Sequence, residues 1–289
     1  MLYCKDIKFY NESSWQELNI EKIISFLDKV LPNNVIEKEK KFILNLNSIE
    51  KEKNFSLYKQ AIVQDLKEPS YIYDLHYYPC SEQEKNFNSF NNKIEYVDLL
   101  LYDGFVIQNL FPKLIKKPEQ ELTLTKLDII ITDKLLCTFD ESDWRYHARS
   151  LICGNPTLIS TSGIVEGLAK PRDYYYKLYF FREANNNVEE FKKEYDGQFI
   201  NYNDPRINDI IEGLVLQSLF YFINSGEPFC YDRNCRFFNA HFQDEAIRIN
   251  IKEKKICQRH TLLLNKYNQS LLTNNNRNNN NNKSKNVKE

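Results

Sequence analysis

The sequence predicts an α/β protein: a mixed sheet with flanking helices, followed by a C-terminal zinc-knuckle subdomain. Three features predict it. Apolar residues recur at helical spacing through Ile20, Ile23, Ile24, Leu27, Val30 and Leu31, where Pro32 stops the run. Residues 127–131 are mostly apolar and β-branched, the composition of a buried strand. Residues 207–223 form a long apolar stretch, and a cluster of cysteines begins just after it.

The remaining elements follow in order. Residues 2–9 alternate well enough for an opening strand, and the helix over 20–31 comes next. The charged run 37–41 reads as a solvated connection before a strand within 42–46 and a helix near 56–66. Residues 81–93, polar and rich in Asn and Phe, read as a loop. A strand over 96–101, a turn at Asp103-Gly104 and a helix over 105–115, ended or kinked by Pro112, open the central part. A later strand ends at Gly154-Asn155-Pro156 and another starts at Thr157. The hydroxyl-rich turn Ser160-Thr161-Ser162-Gly163 precedes an aromatic strand over 174–181 and a polar connection over 183–206. Residues 274–282 are Asn at eight of nine positions, so the end reads as a disordered tail. The expected organisation is an N-terminal α/β lobe over 1–95, a core over 96–265 with the metal site within 227–260, and the tail over 266–289. There is no internal repeat.

Composition bounds the function. Thirty-nine basic and 40 acidic residues leave a formal net charge of -1, so the whole chain predicts neither a nucleic-acid nor an anionic-membrane partner. The N-terminus lacks the apolar core of a secretory signal, and the stretch 210–223 is too short and too polar to span a bilayer. The expectation is a cytoplasmic protein.

Seven cysteines fall into two populations. Cys4, Cys80, Cys137 and Cys153 are scattered and read as small hydrophobes. Cys230, Cys235 and Cys257 cluster with His260 in the pattern C-x4-C, 21 residues, C-x2-H. Two short-range pairs joined by a longer loop can deliver the four soft or borderline donors that zinc takes in a tetrahedron. Four protein ligands leave no open position, so the expected ion is one structural zinc.

Other candidates are less specific. His241 and Glu245 lie four apart and share a face if their segment is helical, as a metal or acid/base pair or, more simply, as a solvent-facing pair. Arg145, His147 and Arg149 alternate and share a strand face. With Lys170 and Arg172 they form a candidate cationic pocket whose one carboxylate is Glu166. The plainer alternative pairs these arginines with Asp140, Glu141 and Asp143. No Walker sequence, G-x-G-x-x-G or G-x-S-x-G occurs.

The segment Leu219-Phe220-Tyr221-Phe222-Ile223, with Gly226, Phe229, Cys230, Cys235, Cys257 and His260, resembles the archaemetzincins. Those metallopeptidases carry H-E-x-x-H-x-x-G-x-x-H-C-x4-C and a later C-x2-C pair. The chain also resembles a group of archaeal proteins classed as metallopeptidases, through Tyr146–Arg149, Ser160–Glu166 and Asn239–Gln243. The resemblance implies a metzincin-like scaffold with a structural zinc. It also implies a silenced catalytic centre, because Leu219, Phe220, Ile223 and Phe229 stand where the three histidines and the glutamate belong. The expected role is then binding of an anionic small molecule or a peptide in the former substrate groove. The alternatives are a hydrolase with a relocated site at His147, Glu166, His241 and Glu245, and, least favoured by the charge balance, a nucleic-acid-binding module.

Overall fold

The computed structural model describes residues 3–39, 101–114, 125–184, 186, 188–224, 226 and 229–285. The expected strand 42–46, helix 56–66 and loop 81–93 lie outside these residues, as does His76. The helices predicted from residues 20 and 207 and the strand over 127–131 are present, within a mixed α/β arrangement.

The first described unit is strand–helix–strand: β1 (Asp6–Asn11), α1 (Ile20–Val30) and β2 (Val35–Glu39). The charged run expected to be a connection is thus an edge strand, parallel to β1. Its charges suit an edge, where Lys8 pairs with Glu37 and Glu39, and Lys38 with Glu21. On the other side β1 pairs parallel with β4 (Lys126–Thr132), which pairs parallel with β8 (Thr157–Ser160). The edge strand β7 (Leu151–Ile152) closes the order β2-β1-β4-β8-β7, antiparallel to β8. The expected division at residue 95 therefore fails for the described part of the N-terminal lobe. Its two strands are hydrogen-bonded into the sheet of the core, because buried strand backbone must find partners.

Side-chain alternation sorts this sheet into two faces. Ile7, Phe9, Leu127, Ile129 and Ile131 join the larger core with α1 and with α6 (Ile207–Ile223). Tyr10, Ile130 and Leu158 face the other way, toward Ile107 and Phe111 of α2 (Gly104–Leu114). A second sheet pairs β3 (Leu101–Asp103) with β5 (Leu135–Asp140) in parallel, and β5 with β6 (Arg145–Arg149) antiparallel. Asp103 caps α2 by accepting the N–H groups of Phe105 and Val106, so the expected Asp-Gly turn is a helix start.

The hydroxyl-rich turn is also a helix start, α3 (Thr161–Glu166), with Ser160 accepting the Gly163 N–H. The hydroxyls of Ser160, Thr161 and Ser162 donate to the carbonyls of Lys134, Thr132 and Asp133. They hold α3 against the β4–β5 turn and are not held open for a phosphate. Gly163 lets α3 approach β6 closely: a Cβ there would sit 2.1 Å from the Arg149 carbonyl oxygen.

The aromatic run expected as a strand is helix α4 (Arg172–Glu183), and the expected polar connection contains α5 (Val188–Glu194). Tyr174 and Leu178, one helical turn apart, bury against Phe191 and Phe199, while Tyr176, Tyr179 and Phe180 face outward. Helical burial here overrides the β-propensity of aromatic residues.

After α6 come the cysteine loop, α7 (Gln243–Ile247), a π-helical turn over Arg248–Glu253, and α8 (Gln258–Lys285). The division expected at 265/266 cuts through α8. Leu264, Tyr267 and Leu271 are buried in the main core. The Tyr267 hydroxyl donates to the Cys4 carbonyl and accepts from the Asn34 side chain, fastening the end of the described chain to its beginning. Among the described residues, no helix is long and apolar enough to cross a membrane.

Two expected outcomes test this packing. Gly163→Ala should lower the unfolding free energy by about 1–3 kcal/mol, read as a reduced urea midpoint, because the backbone it meets cannot yield cheaply. Truncation after Lys266 should cost about 3–6 kcal/mol by the same assay, since it removes two fully buried side chains; an unchanged midpoint would restore the sequence-based boundary.

Candidate metal centre and adjacent cavity

The loop after α6 is folded by its own backbone. Cys230 N–H donates to the Phe237 carbonyl, Cys235 N–H to Asp232, and Phe238 N–H to Cys235. The Asp232 carboxylate accepts the Asn234 N–H, closing an Asx-type turn between the cysteines. Across the gap, Arg236 N–H reaches the Lys255 carbonyl, bringing the segment before α8 alongside. Cys257 immediately precedes α8, and His260 lies in its first turn.

These constraints gather the four predicted donors. The ligand atoms of Cys230, Cys235, Cys257 and His260 lie within 4.8 Å of one another. The Cys230 and Cys257 sulfurs are 3.7 Å apart, and His260 Nδ1 is 3.1 Å from Cys257 Sγ and 3.9 Å from Cys235 Sγ. Zinc–sulfur bonds of about 2.3 Å and zinc–nitrogen bonds of about 2.0 Å give tetrahedral edges of roughly 3.5–3.8 Å. The cluster thus fits a tetrahedral metal ion.

The surroundings suit thiolates. Asp232 N–H points at Cys230 Sγ, and the N–H groups of Phe237 and Cys257 point at Cys235 Sγ. Burial opposes ionisation of Cys257, but backbone N–H groups of His260 and Arg259 and the neighbouring thiols outweigh it and lower its pKa. Burial instead raises Cys235 to about 12. A cation among the sulfurs would supply the missing compensation. Phe237 stacks on the His260 ring at 4.5 Å with an interplanar angle of 8°, and Phe220 packs on Phe237 at 4.5 Å. Phe220, at the position the resemblance gives to the catalytic glutamate, therefore supports the imidazole.

An ion pair binds this loop to α6. Arg236, 2% exposed, donates to Glu212 Oε2 at 2.9 Å and to the Asp209 carbonyl, with its guanidinium 4.6 Å from the Phe26 ring centre. Gln217, also buried, donates both amide hydrogens to the Arg236 and Phe238 carbonyls.

Beside the cluster lies a cavity of about 420 Å³ whose walls include Arg149, Leu214, Gln217, Tyr221, His241 and Asn250. The face α6 offers it is Ile210, Leu214, Gln217 and Tyr221. Leu219, Phe220 and Ile223 are fully buried elsewhere in the core. Of the four positions marked by the resemblance, Phe229 alone lines the cavity.

The other sequence candidates go to different places. His147 and Arg145 both pair with Asp143, at 2.8 and 2.5 Å. Asp140, Asp143 and His147 form a second, more exposed donor cluster, but Asp140 already accepts from Ser142 and Asp143 from its two basic neighbours. Arg172 is exposed at the start of α4. Glu245 is no partner of the His241 imidazole: its carboxylate caps α7 by accepting the N–H groups of His241 and Phe242. Lys170 sits over the Tyr174 and Phe199 rings, at 4.8 and 5.7 Å. Glu166, 9% exposed, is held at a pKa of about 7 by burial, against the pull of Lys170 and a hydrogen bond with Tyr202. His147, Glu166, His241 and Glu245 thus form no common site, and Arg145, Arg149, Lys170 and Arg172 no common pocket.

Asn250 and Gln217 belong to no motif in the sequence. Their one visible signal was polarity inside strongly apolar runs.

The probable metallopeptidase family DUF6775 matches residues 3–267. The chain is similar to archaemetzincin from Methanopyrus kandleri, whose crystal structure matches with 11% identity and a TM-score of 0.40, covering 91% of this chain and 95% of that one. No curated protein matches.

Glu166 gives this region a pH signature. Its folded pKa, about 7, lies above the ordinary 4.5, so the protonated form favours the fold. Its contribution is complete below about pH 4.5 and is lost as pH rises through 7. Glu166→Gln should therefore remove roughly 3 kcal/mol of the decline in stability between pH 5 and pH 8, measured by urea unfolding at each pH; equal slopes in both proteins would contradict the assignment.

Proposed function

The chain belongs to the probable metallopeptidase family DUF6775, and from that premise we propose that it is a cytoplasmic zinc-binding protein whose cavity binds a ligand without hydrolysing it. One structural zinc on Cys230, Cys235, Cys257 and His260 would organise the subdomain. The carrying observation is the donor cluster itself: three sulfurs and one imidazole nitrogen within 4.8 Å. When bound, the ion supplies cross-linking and charge compensation, and four protein ligands leave it no open position for water.

The residues around the cavity support a binding role. A hydrolytic zinc takes three protein ligands and a water, with a carboxylate to accept that water's proton. Among the described residues, the cavity walls offer one imidazole, His241, and no carboxylate. The stripe of α6 facing it carries an amide and a phenol, while Leu219, Phe220 and Ile223 are in the core and Phe229, the fourth position marked by the resemblance, brings only an apolar ring to the cavity. The subdomain's part is to fix the wall: Cys230 and Cys235 bracket the turn whose continuation carries Phe238 and His241 to the cavity.

Elemental analysis of full-length protein prepared without added metal should find one zinc per chain. Cys235→Ser should lose it and lower the melting temperature by about 10 °C or more. Zinc affinity should weaken as pH falls, because protons then compete for the sulfurs. Two zinc ions per chain, or chelator-sensitive peptide cleavage, would overturn the reading.

A further inference from the structure

Arg149, like the half-buried Arg248 that bonds the Asn234 side chain, differs from three other buried or half-buried arginines. Arg145 pairs with Asp143, Arg206 with Asp204, and Arg236 with Glu212. Arg149 has no carboxylate partner among the described residues: its Nε donates to the Thr138 hydroxyl at 2.8 Å, and both side chains lie on the cavity wall. No other lysine or arginine and no aspartate or glutamate lines the cavity among the described residues. An unneutralised guanidinium in a partly enclosed, mainly apolar space is a strong attractor for one negative charge.

Asn250 is the independent second observation. It is 2% exposed and lines the same cavity, yet its carboxamide oxygen has no hydrogen-bond partner. The carboxamide lies against Gly213, where a Cβ would sit 2.0 Å from it. The oxygen turned toward Gly213 can accept nothing from a carboxylate, which is itself only an acceptor; the amide nitrogen, bonded to no other described residue, is the group that can donate to one. Asn250 also stands on the π-helical turn Arg248–Glu253, a distortion that recurs at binding sites. Leu214, Phe229, Phe238 and Ile249 supply the apolar remainder of the wall.

We propose that this cavity is a receptor for a carboxylate carried on an apolar body, with the Arg149 guanidinium opposing the charge and the Asn250 amide nitrogen donating a hydrogen bond to it. The inference rests on the reading of the cavity as a binding site. One guanidinium and one neutral amide match a monoanion; a phosphate dianion calls for more positive charge. The volume, about 420 Å³, falls within the range of small-ligand sites. A free organic acid and the C-terminus of a peptide share this chemistry.

Calorimetric titration of the full-length protein with four probes tests the proposal: N-acetyl-trileucine as the free acid, its C-terminal amide, 4-methylpentanoate and inorganic phosphate. A free acid should bind, and the tripeptide acid should bind about tenfold to a hundredfold tighter than its amide. Whichever acid binds tighter, tripeptide or 4-methylpentanoate, identifies the source of the carboxylate. Arg149→Gln should erase the difference between acid and amide. Asn250→Ala should weaken the acid about tenfold and leave the amide unchanged. Should Arg149→Gln fail to fold, as judged by circular dichroism, the comparison on the unmodified protein still decides. Equal affinity for acid and amide, or tighter binding of phosphate, overturns the carboxylate assignment alone. Binding of no probe overturns the assignment together with the cavity reading, and neither result touches the zinc stoichiometry.

Discussion

The buried ion pair between Arg236 and Glu212 fixes the cysteine loop on α6. Arg236 follows Cys235 directly, so its guanidinium is anchored on the same turn that carries a candidate metal ligand. By reaching Glu212 and the Asp209 carbonyl it ties that turn to α6, the helix packed against the sheet. Two charges removed from water are tolerable only as a pair with good geometry, so α6 and the cysteine loop can combine in few ways. The same helix then presents Gln217 to the carbonyls of Arg236 and Phe238. The cavity wall inherits its shape from these contacts.

A second constraint acts from the sheet side. Three adjacent hydroxyls at the start of α3 all donate to backbone carbonyls of the β4–β5 turn. Glycine at 163 lets the helix backbone press on the β6 carbonyls. This sets the height of β6, and hence of Arg149, above α6. Charge on this strand is sorted by neighbours: Asp143 takes Arg145 and His147, whereas Arg149 is left facing the cavity. A strand that looked like one cationic stripe is therefore divided between a surface paired with Asp143 and one guanidinium that has no carboxylate partner among the described residues.

The metal cluster and the cavity are adjacent but chemically separate. Sulfur donors, converging N–H groups and a stacked imidazole make the first a closed centre suited to holding structure. Apolar walls with one guanidinium and an unpartnered amide make the second a place where a ligand can enter. The match to a probable metallopeptidase family spans both, and the reading of the cavity as a binding site rests on the side chains around it and not on the fold.

Much of the architecture was legible in the sequence. Local pattern sufficed where burial follows period: the helices from Ile20 and Ile207, the β-branched strand around Ile129, and the gathering of four candidate metal donors, whose short spacings limit how far apart they can lie. The tertiary structure alone decided the rest. Aromatic propensity around Tyr174 gave way to a helical face buried against Phe191, and the Asn-rich end is preceded by Tyr267 and Leu271 locked in the core. Which arginine pairs with which carboxylate, which face of α6 meets the cavity, and whether Glu166 and His241 meet all depend on packing between segments far apart in the chain. Spacing along a chain fixes a side chain's direction only relative to its own element, and the partner that neutralises or frees it comes from another.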